Sequence, residues 1–72
     1  PNPSRGLFKL YLPTNINTIG VEIYNIRSQL IISKNYAVQN GSIQLDLEAK
    51  PKGIYFVKVN SEKPIFIKVI KK

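Results

Sequence analysis

The 72-residue sequence has no cysteine, no histidine and only four acidic residues. Each absence removes a class of chemistry. Without Cys there is no disulfide staple, and without Cys or His there are no ligands for a structural zinc. Cysteine-free chains are compatible with any redox compartment, so the absence fixes none. A serine such as Ser28, Ser33, Ser42 or Ser61 has no imidazole to act as its base. The acids Glu22, Asp46, Glu48 and Glu62 lie on at least three separate segments with no motif spacing. No Gly-rich phosphate loop is present. The chain is therefore expected to be non-catalytic and to carry no cofactor or metal. Long apolar runs are missing too. The longest, Ile54-Tyr55-Phe56-Val57, is far short of the ~20 residues of a spanning helix, so no transmembrane segment is expected. The opening Pro1-Asn2-Pro3-Ser4-Arg5-Gly6 has no apolar stretch of the kind a signal peptide needs. With no Met before it, this opening suggests a piece of a longer protein.

What is present is a core-forming composition and a lopsided charge. A chain this short makes one domain and buries only roughly 60% of its unfolded surface, so its core must be aliphatic and aromatic. The 43% of hydrophobic residues suffices for that. Net charge is +7, but from Lys50 onward seven lysines face a single acid, Glu62, and the rest of the chain contributes only +1. The basic character belongs to the last part of the chain. Such a cluster either attracts an anionic partner or keeps a β-rich domain soluble.

The pattern of apolar residues has a period of two. Pro51 fixes φ, Gly53 can take a positive φ, and Ile54 to Val59 are β-branched or aromatic apart from Lys58. Tyr55, Val57 and Val59 fall on one face of this strand and Ile54, Phe56 and Lys58 on the other. After the polar loop Asn60–Lys63, Ile65 to Ile70 alternates likewise. A hairpin with Val59 opposite Ile65 sets Val57 against Ile67 and Tyr55 against Val69. The reverse face then pairs Lys58 with Phe66, Phe56 with Lys68 and Ile54 with Ile70. Upstream, Leu7–Leu12 places Phe8, Leu10 and Leu12 on one side, and Ile16 lies in a polar, turn-rich segment. Ile19–Asn25 turns Val21 and Ile23 inward, and Leu30–Lys34 turns Leu30 and Ile32 inward. Asn40-Gly41 is a turn signal. Ser42–Leu47 directs Ile43, Leu45 and Leu47 inward. Six or seven short strands and no helical period predict a small antiparallel β-sandwich. Residues 1–5 read as a linker end and 6–72 as the domain. The expected core is Phe8, Leu10, Val21, Ile23, Ile32, Ile43, Leu45, Tyr55, Val57, Ile67 and Val69.

Four blocks in order carry a family resemblance. They are Pro1-Asn2-Pro3-x-x-Gly6; Val21-Glu22-Ile23-Tyr24-Asn25 with Gln29-Leu30; Asp46-Leu47 with Pro51-x-Gly53-Ile54-Tyr55-x-Val57-x-Val59; and Lys68-Val69-Ile70-Lys71-Lys72. Over essentially its whole length the chain resembles the type A C-terminal sorting domain of proteins exported by the type IX secretion system of Gram-negative bacteria. The resemblance implies an immunoglobulin-like sandwich at the end of a larger cargo. It further implies passage through the periplasm to the cell surface or medium. Its implied partners are the outer-membrane translocon, shuttle and sortase-like proteins, the last removing the domain, besides the cargo domain N-terminal to it. Two positions depart from the family pattern. Ser28 stands where the family has Gly, so a left-handed backbone there strains it by ~1 kcal/mol. Lys50 stands where Leu precedes the proline, leaving that end of the core to Ala49 or the Lys50 stem.

Candidate recognition residues are Gly53, Ile54, Tyr55, Phe56, Lys58, Phe66, Lys68, Ile70, Lys71 and Lys72. Gly53 and Tyr55 also have structural readings, as a backbone-conformation residue and a core aromatic whose hydroxyl meets a backbone partner. Ile54, Phe56, Phe66 and Ile70 point away from the core and make an apolar face set with Lys58 and Lys68, where a solvated sheet face would be polar. Lys71 and Lys72 form a basic tail that packing is not expected to hold. Two rival readings differ in class. A nucleic-acid module would stack bases on Tyr11, Tyr24 or Phe56, but no OB- or RNP-type motif is visible and nucleic acid is not an expected partner. A carbohydrate- or surface-adhesion sandwich is compatible with the fold.

Overall fold

The structure, a computed structural model, describes residues 5–12 and 16–72. Six strands follow one another: β1 (Leu7–Tyr11), β2 (Thr18–Asn25), β3 (Leu30–Ala37), β4 (Ser42–Asp46), β5 (Gly53–Val59) and β6 (Ile65–Lys71). All pairings are antiparallel, giving a four-stranded sheet in the order β3-β2-β5-β6 and a two-stranded sheet of β1 and β4. The described residues include no helix. The linker reading of residues 1–5 falls, but for Arg5, outside the described residues.

Parity decides what is buried. From the smaller sheet come Phe8, Ile43 and Leu45; from the larger come Ile19, Val21, Ile23, Tyr55, Val57, Val59 and Val69; Leu47 closes the end. The β5–β6 register is the one the alternation predicts, from Val59 opposite Ile65 to Ile54 opposite Ile70. Three expected core residues, Leu10, Ile32 and Ile67, are only half-buried, though they pack against the core. A sheet of two strands cannot roof a sheet of four, so Ile32 and Ile67 on the outermost strands β3 and β6 stay partly open, while Leu10 lies near the end of β1.

One expectation is overturned. Leu30 points outward and is 51% exposed. Opposite Ile23 stands Ile32, and opposite Tyr24 stands Leu30, so Ile31 is the extra residue of a β-bulge. A bulge shifts parity by one on one side of itself, which moves Leu30 to the outer face. Further along β3, Lys34 faces the side of Val21 and its Nζ lies 4.9 Å from the Tyr36 ring centroid. A charge on the inner face of an outermost strand discourages pairing with another chain.

The turns obey the predicted chemistry. Asn40 and Gly41 both have positive φ, 53° and 73°, as a two-residue type I′ turn requires. Ser28 adopts φ 63°, so the Asn25–Gln29 turn keeps the left-handed position a glycine would fill without strain. Asn25 Oδ1 accepts the Arg27 and Gln29 backbone N–H groups, and this shell holds the strained residue in place. Ser28→Gly is expected to stabilise the chain by about 1 kcal/mol, read as a higher urea midpoint at unchanged slope. Gly6 is fixed by space: a Cβ there would lie 2.8 Å from the Glu48 backbone, and its carbonyl accepts the Leu47 N–H.

Candidate recognition surface

The outer face of the larger sheet gathers most of the predicted recognition residues, because cross-strand partners share a face. One row crosses all four strands: Leu30, Tyr24, Phe56, Lys68. The next is Ser33, Glu22, Lys58, Phe66. Ile54 and Ile70 form a third pair on β5 and β6. Phe66 is 73% exposed, Phe56 41% and Ile70 37%, while Ile54 is half-buried. Neighbouring strands thus expose large apolar side chains where a solvated sheet face is ordinarily polar.

The face is wider than the sequence suggests. Tyr24 and Leu30 extend it onto β2 and β3. Tyr24's outward direction is readable from alternation, but its place beside Phe56 depends on the β2–β5 pairing, which links residues far apart in the chain. Leu30's direction depends on the bulge. Charge is also distributed differently from the lysine-only expectation. Lys58 Nζ lies 3.7 Å from Glu22 Oε1, so much of its field is neutralised within the face. Such an exposed pair contributes little to stability, about 0–1 kcal/mol.

The other predicted residues sit at one end of the sandwich. The Tyr55 ring is buried and its hydroxyl donates to the Pro51 carbonyl, as its structural reading anticipates. Gly53 has φ 149° and a Cβ there would meet no neighbour within 4 Å, so backbone conformation rather than space favours glycine. The expectation of a tail that packing does not hold fails for Lys71. Its Nζ donates to the Glu48 carbonyl at 2.8 Å and also to the Lys50 carbonyl. Gly53 and Lys71 are cross-strand partners, which carries the lysine stem to those carbonyls. Lys72 remains exposed. Before Pro51, Lys50 is half-buried and Ala49 is exposed, so of the two it is Lys50 that is partly covered at that end.

These contacts can be tested by removing single groups. Tyr55→Phe is expected to cost about 1 kcal/mol, since the Pro51 carbonyl loses its donor. Lys71→Met keeps the stem and removes the ammonium, at a cost of about 1 kcal/mol, whereas Lys72→Met is neutral. Urea unfolding followed by circular dichroism separates the three.

Elsewhere, burial first and the Asp46 charge second hold the Tyr36 phenol above its ordinary range. No group of three or more His, Cys, Asp or Glu residues able to hold a metal exists among the described residues. A family model described as the secretion system C-terminal sorting domain matches residues 1–72. No curated protein matches the chain.

Proposed function

The chain belongs to the family of secretion system C-terminal sorting domains, and from that premise we propose how its surface serves as an address. Membership makes it a type IX sorting signal, a kind of domain that is non-catalytic and that directs a larger chain toward the cell surface or the medium. In the proposed mechanism the folded domain reaches the periplasm at the C-terminus of its cargo. The translocon and its shuttle component then dock on the outer face of the larger sheet. Phe56 and Phe66 are the anchors, with Ile54 and Ile70 beside them, while Lys68 and Lys72 steer an acidic, apolar groove toward them. Lys58 acts only through its pair with Glu22, and Lys71 acts by holding the end of β6 in place. Gly53 and Tyr55 serve recognition indirectly, by setting the geometry of β5. A sortase-like protease then removes the domain.

The observation that supports this reading is the exposure of Phe56 and Phe66 on adjacent strands among lysines. Cover of this face by loops or by the segment Pro1–Ser4 would oppose it, and that segment lies outside the described residues. The test is export of a folded reporter carrying this chain at its C-terminus in a bacterium with a type IX system. Appearance of the reporter at the surface or in the medium is expected. Retention in the periplasm contradicts the reading, and retention of the purified domain on cell-wall glycans favours adhesion instead.

A further inference from the structure

At one end of the sandwich, the Asn25–Gln29 turn and the Lys50–Gly53 loop line an open groove of about 460 Å³. That volume lies within the ~300–1,000 Å³ usual for binding clefts. Its lining includes the apolar Ile26, Ile31 and Ile54 and the cationic Arg27, Lys50 and Lys52, with no acidic residue. The nearest acid in sequence, Glu48, does not line it, and its Cγ lies 2.9 Å from where a Cβ on Gly6 would be.

We infer that this groove binds an extended acidic segment of a partner protein, its carboxylates on Arg27, Lys50 and Lys52 and an apolar side chain on Ile26, Ile31 and Ile54. Three observations carry this. The first is charge. Acceptors that could blunt the positive lining are already engaged: the Pro51 carbonyl by the Tyr55 hydroxyl, the Lys50 carbonyl by Lys71, and the Gln29 Oε1 by Asn25 Nδ2 at 2.8 Å. Each of these three acceptors already has a donor, and every charged side chain of the lining is cationic, so an anion is favoured. The second is that local irregularities gather here. The β-bulge falls at Ile31, a lining residue, and the left-handed Ser28 lies in the turn that forms one wall. Bulges re-aim side chains, and strained backbone collects at ligand sites. The third is shape. The cations and the apolar side chains line one open groove between two loops rather than a single sheet face, which suits a peptide with alternating side chains better than a flat lipid surface.

The groove adds a second contact to the sorting reading and depends on that reading only for the partner's place in export. The test uses the isotope-labelled 72-residue chain and a short capped peptide alternating Asp and Leu, followed by amide shifts. Saturable shifts confined to the two walls and to Ile31 are expected, weakening with added salt. Arg27→Gln with Lys52→Gln, both at exposed positions, should weaken binding about tenfold. No saturable binding overturns the inference, as does equal affinity for a peptide with Asn in place of Asp. Tighter binding of these residues to phosphatidylglycerol vesicles than to the peptide overturns it in favour of a membrane. A wild-type reporter fusion that fails to be exported would instead defeat the sorting reading and leave this measurement standing.

Discussion

Leu45→Ala should lower stability by about 2–4 kcal/mol, the range for a truncated core leucine whose cavity cannot collapse. Leu45 is completely buried and sits in the sheet that has only two strands. It is therefore one of the few side chains through which that sheet is attached to the other. A domain of this size has a total stability of about 4–11 kcal/mol, so the loss approaches the whole of it at the lower end. Val57→Ala, on the central strand β5, belongs to the same class with less volume removed. Leu30→Ala is the control, because Leu30 is an apolar residue in a strand yet points to solvent. Urea unfolding followed by circular dichroism should show a much reduced midpoint for Leu45→Ala and an almost unchanged one for Leu30→Ala.

That contrast also marks where reading residues in order stops being enough. The β5–β6 hairpin was fully legible because a short loop fixes which strands pair and a two-residue period fixes their faces. Shifting it by one would place Lys58 and Lys68 in the core. Ser28 was legible for a similar reason: a single turn position demands a left-handed backbone whichever residue occupies it. Leu30 was not, because the bulge at Ile31 exists only relative to the partner strand. Nor does alternation state how many strands each sheet receives, which is why Ile32 and Ile67 are less covered than their pattern implies. On the candidate surface, the outward directions of Phe56, Phe66 and Ile70 follow from parity alone. The place of Tyr24 beside Phe56 and the neutralisation of Lys58 by Glu22 depend on the non-local β2–β5 pairing, Leu30 on the bulge, and the anchoring of Lys71 on where the Glu48 and Lys50 carbonyls lie. The groove depends on two turns that lie more than twenty residues apart in the chain.

The second large effect concerns export. Phe56 and Phe66 present aromatic surface on adjacent strands, and neither fills the space between the sheets, where Tyr55, Val57 and Val69 pack. Replacing both by serine should therefore leave the fold intact while removing the apolar anchors. Anchor residues dominate binding energy at interfaces, and their loss typically costs about 2 kcal/mol or more each. A smaller effect is expected from Lys58→Met, since its charge is already balanced by Glu22.

The most direct measurement is the amount of reporter reaching the medium or cell surface when it carries Phe56→Ser with Phe66→Ser, the purified double variant being checked for folding by urea denaturation. Loss of most of the exported reporter from a chain that remains folded is the predicted result. Export at the level of the unmodified chain by an equally folded double variant would contradict the account.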